Sequence, residues 1–277
     1  MKPRELLHAW TRLPLALLIL LLAIGGAAQA ADSATPVMDR IQARGQLIVG
    51  MSGDMPPLNM TDRDGAVIGF EADMAKLLAG AMGVELEIRT LPFNELIGAL
   101  VGGQVDMVMS GMTMIPARNL KVAFVGPYMR SGKAVLTKIE TLARVKDFGQ
   151  LNDPARQLVA LRGSTSASVV QELAPLAQLR LARDTREAID LVVNDQAQAM
   201  IADYTTAIVA LLQNPDAGLI SVITPITYEP LGIALPPNDA LLINWTKNTL
   251  ASFRASGQTE RLEQRWFGNA AWLDRLP

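Results

Sequence analysis

The stretch that constrains this chain most is residues 102–118, GGQVDMVMSGMTMIPAR. A glycine turn leads into the apolar run Val105-Asp106-Met107-Val108-Met109, which stops at Ser110-Gly111-Met112-Thr113. A run this short and apolar predicts a buried strand. Ending it in small polar residues leaves backbone amides, a carbonyl and hydroxyls free at the carboxyl edge of a sheet. Open α/β sheets bind small ligands at that edge. Arg118 follows closely, and a guanidinium can grip a carboxylate through two parallel hydrogen bonds. Taken alone, the same residues also describe a strand, a turn and a surface arginine.

The 277 residues are half hydrophobic, enough for one large or two medium domains. Residues 1–30 read as a secretory signal peptide: Lys2, Arg4 and Arg12 lie around and ahead of a Leu/Ile/Ala-rich core that closes at Ala28-Gln29-Ala30. That core falls short of the roughly 20 apolar residues a membrane span needs, so cleavage after Ala30 and a periplasmic location are expected. Without this leader the chain carries 22 basic and 26 acidic residues. A mildly acidic protein with no basic run has no general attraction for nucleic acid. There is no cysteine, which excludes disulfides, a thiol nucleophile, thiolate metal sites and a lipid-anchored cysteine. The one histidine, His8, lies in the leader. The remainder therefore lacks Ser-His-Asp chemistry and any histidine zinc site. No metal and no cofactor are expected.

From residue 37 the pattern alternates. A helix over 37–44 precedes a buried strand over 46–51, a loop with Ser52, Asp54 and Met55, and an Asp64-Gly65 turn. A helix runs from Gly69-Phe70-Glu71 to Met82, with Glu71 and Asp73 in its first turn. A strand over 84–90 and a helix over 93–101 lead to the strand over 105–109. This is a parallel α/β unit. A short strand over 122–125 is expected to break at Gly126-Pro127, and residues 133–138 form an extended run able to leave one lobe for another. The alternation then restarts: strands over 157–161, 179–182, 197–202 and 219–224, with helices over 167–173, 185–194 and 204–213 between them. The methionines at 107, 109, 112 and 114 read as core filling. Residues 226–235 carry the chain back, and helices over 239–256 and 260–267 complete it. The expected architecture is two α/β lobes joined by two crossing hinge strands around a central cleft. Its parts are 1–30 leader, 37–135 first lobe, 136–227 second lobe and 228–277 returning to the first.

Over residues 38–268 the chain resembles the family 3 periplasmic solute-binding proteins, the polar amino-acid receptors of bacterial ABC importers. The resemblance rests on Gly69-Phe70-Glu71-Ala72-Asp73-Met74-Ala75, on the run from Ser110 to Arg118, on Gly163-Ser164-Thr165, on Asp203 after its strand, and on Gln264-Arg265-Trp266-Phe267-Gly268. Ala72 departs from the larger aliphatic usual there. The resemblance implies a type II periplasmic-binding-protein fold and a cleft for an α-amino acid. A zwitterion loses hydration at both charges on entering, so each needs partners. By the resemblance, Arg118 and backbone amides near Thr113 and Thr165 meet the carboxylate; Gly111 and Ser164 belong to the same two turns. Asp203, the Ser110 carbonyl and the Thr113 hydroxyl meet the ammonium. Contact with both lobes favours the closed form.

Met55 and Phe93 correspond to wall positions of the cleft, although ordinary core packing accounts for them equally. Asp203 would also serve as a plain helix N-cap. Ser52 stands where receptors for basic amino acids usually carry an acid, which points to an uncharged or acidic amino acid, with Asp54 nearby as a substitute acid. An inner-membrane ABC permease is the expected protein partner. The competing expectation is an enzyme. The fold also resembles periplasmic cyclohexadienyl or arogenate dehydratases, which need a general acid; without histidine this would be Glu229, Asp54 or Tyr204.

Overall fold

The computed structural model describes residues 35–221 and 225–276. The expected leader lies outside them, as do residues 222–224 of the strand expected over 219–224. Helix α1 (Pro36–Arg44) stops at Gly45 and turns the chain into β1 (Gln46–Met51), whose last five residues are buried. A small antiparallel sheet follows: β2 (Asp54–Met55), β3 (Asn59–Thr61) and β4 (Val67–Ile68). Next come α2 (Phe70–Met82), β5 (Glu85–Thr90), a 3-10 turn (Phe93–Glu95), α3 (Leu96–Val101) and β6 (Met107–Val108). Both β5 and β6 pair with β1 in parallel, as expected of the α/β unit.

Two expectations need correction. The strand over 105–109 is regular only at Met107–Val108, because the Asp106 carboxylate accepts the Ile48 N–H at 2.9 Å where a ladder carbonyl would serve. The short strand over 122–125 does not break at Gly126-Pro127. After the one-turn helix α4 (Pro116–Asn119), β7 continues through both residues, from Ala123 to Ser131. It is the edge strand of its sheet, where a proline's missing N–H costs little.

The chain then enters a second sheet. Its elements are β8 (Lys133–Thr137), α5 (Glu140–Ala143), a 3-10 turn (Phe148–Leu151), β9 (Gln157–Leu161), α6 (Thr165–Leu173), β10 (Gln178–Ala182), α7 (Thr185–Val193), β11 (Ala199–Asp203), α8 (Tyr204–Gln213) and β12 (Ile220–Ser221). It returns through β13 (Glu229–Leu235) to the first sheet and ends in α9 (Ala240–Ala255) and α10 (Gln258–Phe267). The strand orders are β5-β1-β6-β13-β7 and β10-β9-β11-β8-β12. Each sheet packs a main apolar cluster on one face. One centres on Leu47, Val49, Met74, Leu78, Ile233 and Trp266, the other on Leu136, Val159, Leu191, Val192 and Met200. A further cluster around Ile48, Leu96 and Val108 takes in Leu161 of β9. Met107, Met109 and Met112 are core residues.

Two segments cross side by side between the sheets. The Ile226 N–H donates to the Lys133 carbonyl at 2.8 Å, and the Lys133 N–H donates to Thr227 Oγ1 at 3.0 Å. Gly132 permits this approach: a Cβ there would lie 2.2 Å from the Thr227 carbonyl oxygen.

Candidate ligand cleft

The carboxyl ends of the two sheets face each other. Met55, Phe93, Gly111, Thr113 and Arg118 from the first side line one cavity with Ser164, Thr165 and Asp203 from the second. The cavity they surround is narrow, about 20 Å³. Ser110 is not among the lining residues; its hydroxyl accepts the Ser52 N–H at 2.9 Å. Gly111 turns the chain at φ 57°, and a Cβ would meet the Met55 methyl at 2.8 Å, so the turn lies flush against Met55.

Arg118 is buried, and Pro116 starts the one-turn helix that carries it. Its Nη1 donates to the Thr113 carbonyl at 2.9 Å and its Nη2 to the Gly163 carbonyl of the opposite side at 3.1 Å. The guanidinium carbon lies 5.6 Å from the centre of the Phe93 ring, within cation–π range. Burial lowers its pKa to about 10 against the pull of Glu229 and Asp203. It stays charged at neutral pH.

Ser164 caps α6: its hydroxyl accepts the Ala167 N–H at 3.2 Å and donates to the Leu161 carbonyl at 2.6 Å. Thr165 opens the helix, and its hydroxyl sits 3.4 Å from that of Thr113 across the cleft. Free N–H groups at such a helix start favour an anion. Asp203 occupies the N-cap position of α8 but makes no side-chain capping bond. Its Oδ1 accepts a hydrogen bond from Lys133 Nζ at 2.7 Å.

Lys133 is the functional candidate that reading the sequence missed. Its side chain is 2% exposed and the residue lines the cavity; its ammonium also lies 3.9 Å from Glu229 Oε2. Glu229 accepts further hydrogen bonds from Thr165 Oγ1 (3.3 Å) and Thr227 Oγ1 (3.1 Å). Of the other acid candidates, Asp54 receives the Thr185 N–H of α7 on Oδ2 at 2.8 Å, while its Oδ1 is buried without a partner. Tyr204 lines a different groove, with Pro127, Arg130 and Phe267.

Glu71 was read as a first-turn acid and as part of the family motif, without a place in the site. It is fully buried beneath the binding turn, where it accepts hydrogen bonds from Gly111 N–H (2.7 Å), Asn59 Nδ2 (2.5 Å) and the Tyr128 hydroxyl. Burial pushes its carboxyl above the ordinary value, against these three donors. No cluster of histidine or acidic residues able to hold a metal occurs among the described residues.

The chain has relatives among curated proteins and solved structures. The chain is 27% identical over 221 residues to the ABC transporter arginine-binding protein 1 of Escherichia coli, covering 79% of this chain and 89% of that protein. It is 31% identical over 229 residues to the arginine-binding extracellular protein ArtP of Bacillus subtilis, covering 80% and 86%. The cyclohexadienyl dehydratase of Pseudomonas aeruginosa is 25% identical over 203 residues, covering 73% and 76%. Among solved structures, a putative ABC-transporter binding component from Wolinella succinogenes complexed with lysine matches with TM-score 0.78 and 35% identity, covering 83% of this chain and 99% of that one. The ancestral amino acid-binding protein AncCDT-1, a precursor of cyclohexadienyl dehydratase, matches with TM-score 0.75 and 35% identity over the same shares. The model for bacterial extracellular solute-binding proteins, family 3, matches residues 47–269, and the chain belongs to that family.

Proposed function

We propose that this protein is the periplasmic receptor of an ABC importer. It takes an α-amino acid between Arg118 and Asp203, closes about the crossing at Gly132, and delivers its ligand to a membrane permease. The observation that carries this reading is that a buried guanidinium from one sheet and a carboxylate from the other line the same cavity. A zwitterion fits between them and stabilises the closed form through contacts with both sides. In this reading the expected lobe boundary at residue 135 shifts to Gly132, because β8 joins the second sheet from Lys133 onward: residues 37–131 and 229–277 move as one lobe, 133–227 as the other, and residues 1–30 direct export. The extracellular or periplasmic names of the relatives agree with that address.

Two readings of the ligand's side chain have separate support. Arg118 and Lys133 balance Asp203 and Glu229, so a net-neutral amino acid enters without leaving a charge unpaired, which supports the uncharged rather than the acidic half of the class expected from Ser52. The arginine-binding names of relatives and the free oxygen of Asp54 favour a cationic side chain instead. Binding without chemistry is the role we assign, because the cleft carboxylates are engaged: Asp203 with Lys133, Glu229 with Thr165 and Thr227. The dehydratase relative supplies the alternative.

A thermal-shift panel of the twenty amino acids plus arogenate and prephenate tests the proposal, since a ligand that binds the native state raises Tm by mass action. An amino acid that shifts Tm and is not consumed is the expected result, and its side chain selects between the two classes. A shift with arogenate or prephenate accompanied by product formation would establish the enzyme.

A further inference from the structure

Lys133 and Asp203 are direct cross-strand partners on β8 and β11, so the strand register itself holds ammonium against carboxylate. The pair is formed within one sheet and does not depend on closure. The carboxylate that an amino acid's ammonium needs is thus already partnered by an ammonium of the chain. A ligand ammonium arriving there gains less than it would at a bare carboxylate, and it meets a like charge. It must still shed its hydration to enter. A hydroxyl at the same place can donate to a carboxylate and has no charge to desolvate. Arg118, on the opposite wall, is untouched by this difference and grips the ligand carboxylate in either case.

We propose that Lys133 is the cleft's built-in ammonium, and that its pairing with Asp203 lets the site take 2-hydroxy carboxylic acids nearly as well as the matching amino acids. The inference rests on the receptor reading above and adds a ligand class to it. The test is titration calorimetry of the purified protein and of Lys133→Met with three matched pairs: alanine and lactate, leucine and 2-hydroxyisocaproate, arginine and argininic acid. For the tightest pair, the parent should prefer the amino acid by less than about tenfold, and Lys133→Met should raise that preference by about tenfold or more. Lys133→Arg, which keeps the cation, should retain the parent ratio. A merely structural lysine would lower both affinities together and leave the ratio fixed, which overturns the proposal. So does a parent preference above tenfold, which decides the matter alone if Lys133→Met fails to fold. Where another amino acid of the thermal-shift panel binds instead, it and its 2-hydroxy counterpart form the decisive pair; if none of the twenty binds, the receptor reading falls and this inference with it.

Discussion

Glu71 and Arg118 are both buried ionisable groups beside the turn from Ser110 to Thr113, yet they complete their hydrogen bonds in opposite ways. Glu71 finds Asn59, Gly111 and Tyr128 inside the first sheet's own lobe. Arg118 takes one carbonyl from its own side, Thr113, and one from the far side, Gly163. The first network fixes the shape of the binding turn whether the cleft is open or shut. The second is complete only when the lobes meet. A receptor needs both kinds: a rigid surface to read the ligand and contacts that register closure.

Substitutions can break this division. The largest effect belongs to Glu71→Leu, which leaves three buried donors unpaired and should cost on the order of 4 kcal/mol of stability in urea unfolding. Arg118→Ala should act on binding, weakening an amino-acid ligand by about 3 kcal/mol, roughly 150-fold in Kd, by calorimetry. Equal affinity in that variant would remove Arg118 from the site. Asp54→Ala removes the acceptor for the Thr185 N–H across the cleft and should weaken binding by about 1 kcal/mol, with the unliganded Tm little changed.

The smallest effect is a pH dependence. The Glu71 carboxyl titrates above its ordinary value near 4.5 in the folded protein, so the folded state holds the proton more tightly than the unfolded one. Its contribution to stability is therefore greatest at low pH and falls as pH rises above 4.5. Between about pH 4 and 7 the urea midpoint of the parent should fall relative to Glu71→Gln, which cannot titrate. A constant difference would show that Glu71 keeps its ordinary proton affinity.

Much of this was legible in the sequence because its causes are local. The helix expected over 204–213 appears with those limits as α8, since its apolar spacing and starting aspartate lie within one segment. The run through Gly126-Pro127 was not legible, because only the sheet order makes β7 an edge strand that tolerates proline. The cavity-lining residues were marked by strand ends and family motifs. Lys133 was not: at the head of the extended run KAVLTK nothing marks it, and its partner Asp203 lies seventy positions away in sequence. Glu71 was hidden in the same way, since an acid in a first helical turn is ordinarily explained by the helix dipole.

The most direct test of the central claim is small-angle scattering of the purified protein with and without the amino acid that shifts its Tm. Closure of two lobes on a zwitterion predicts a smaller radius of gyration at saturation, with no such change in Arg118→Ala at the same ligand concentration. A ligand that binds without compacting the protein, or that compacts Arg118→Ala equally, would contradict the account.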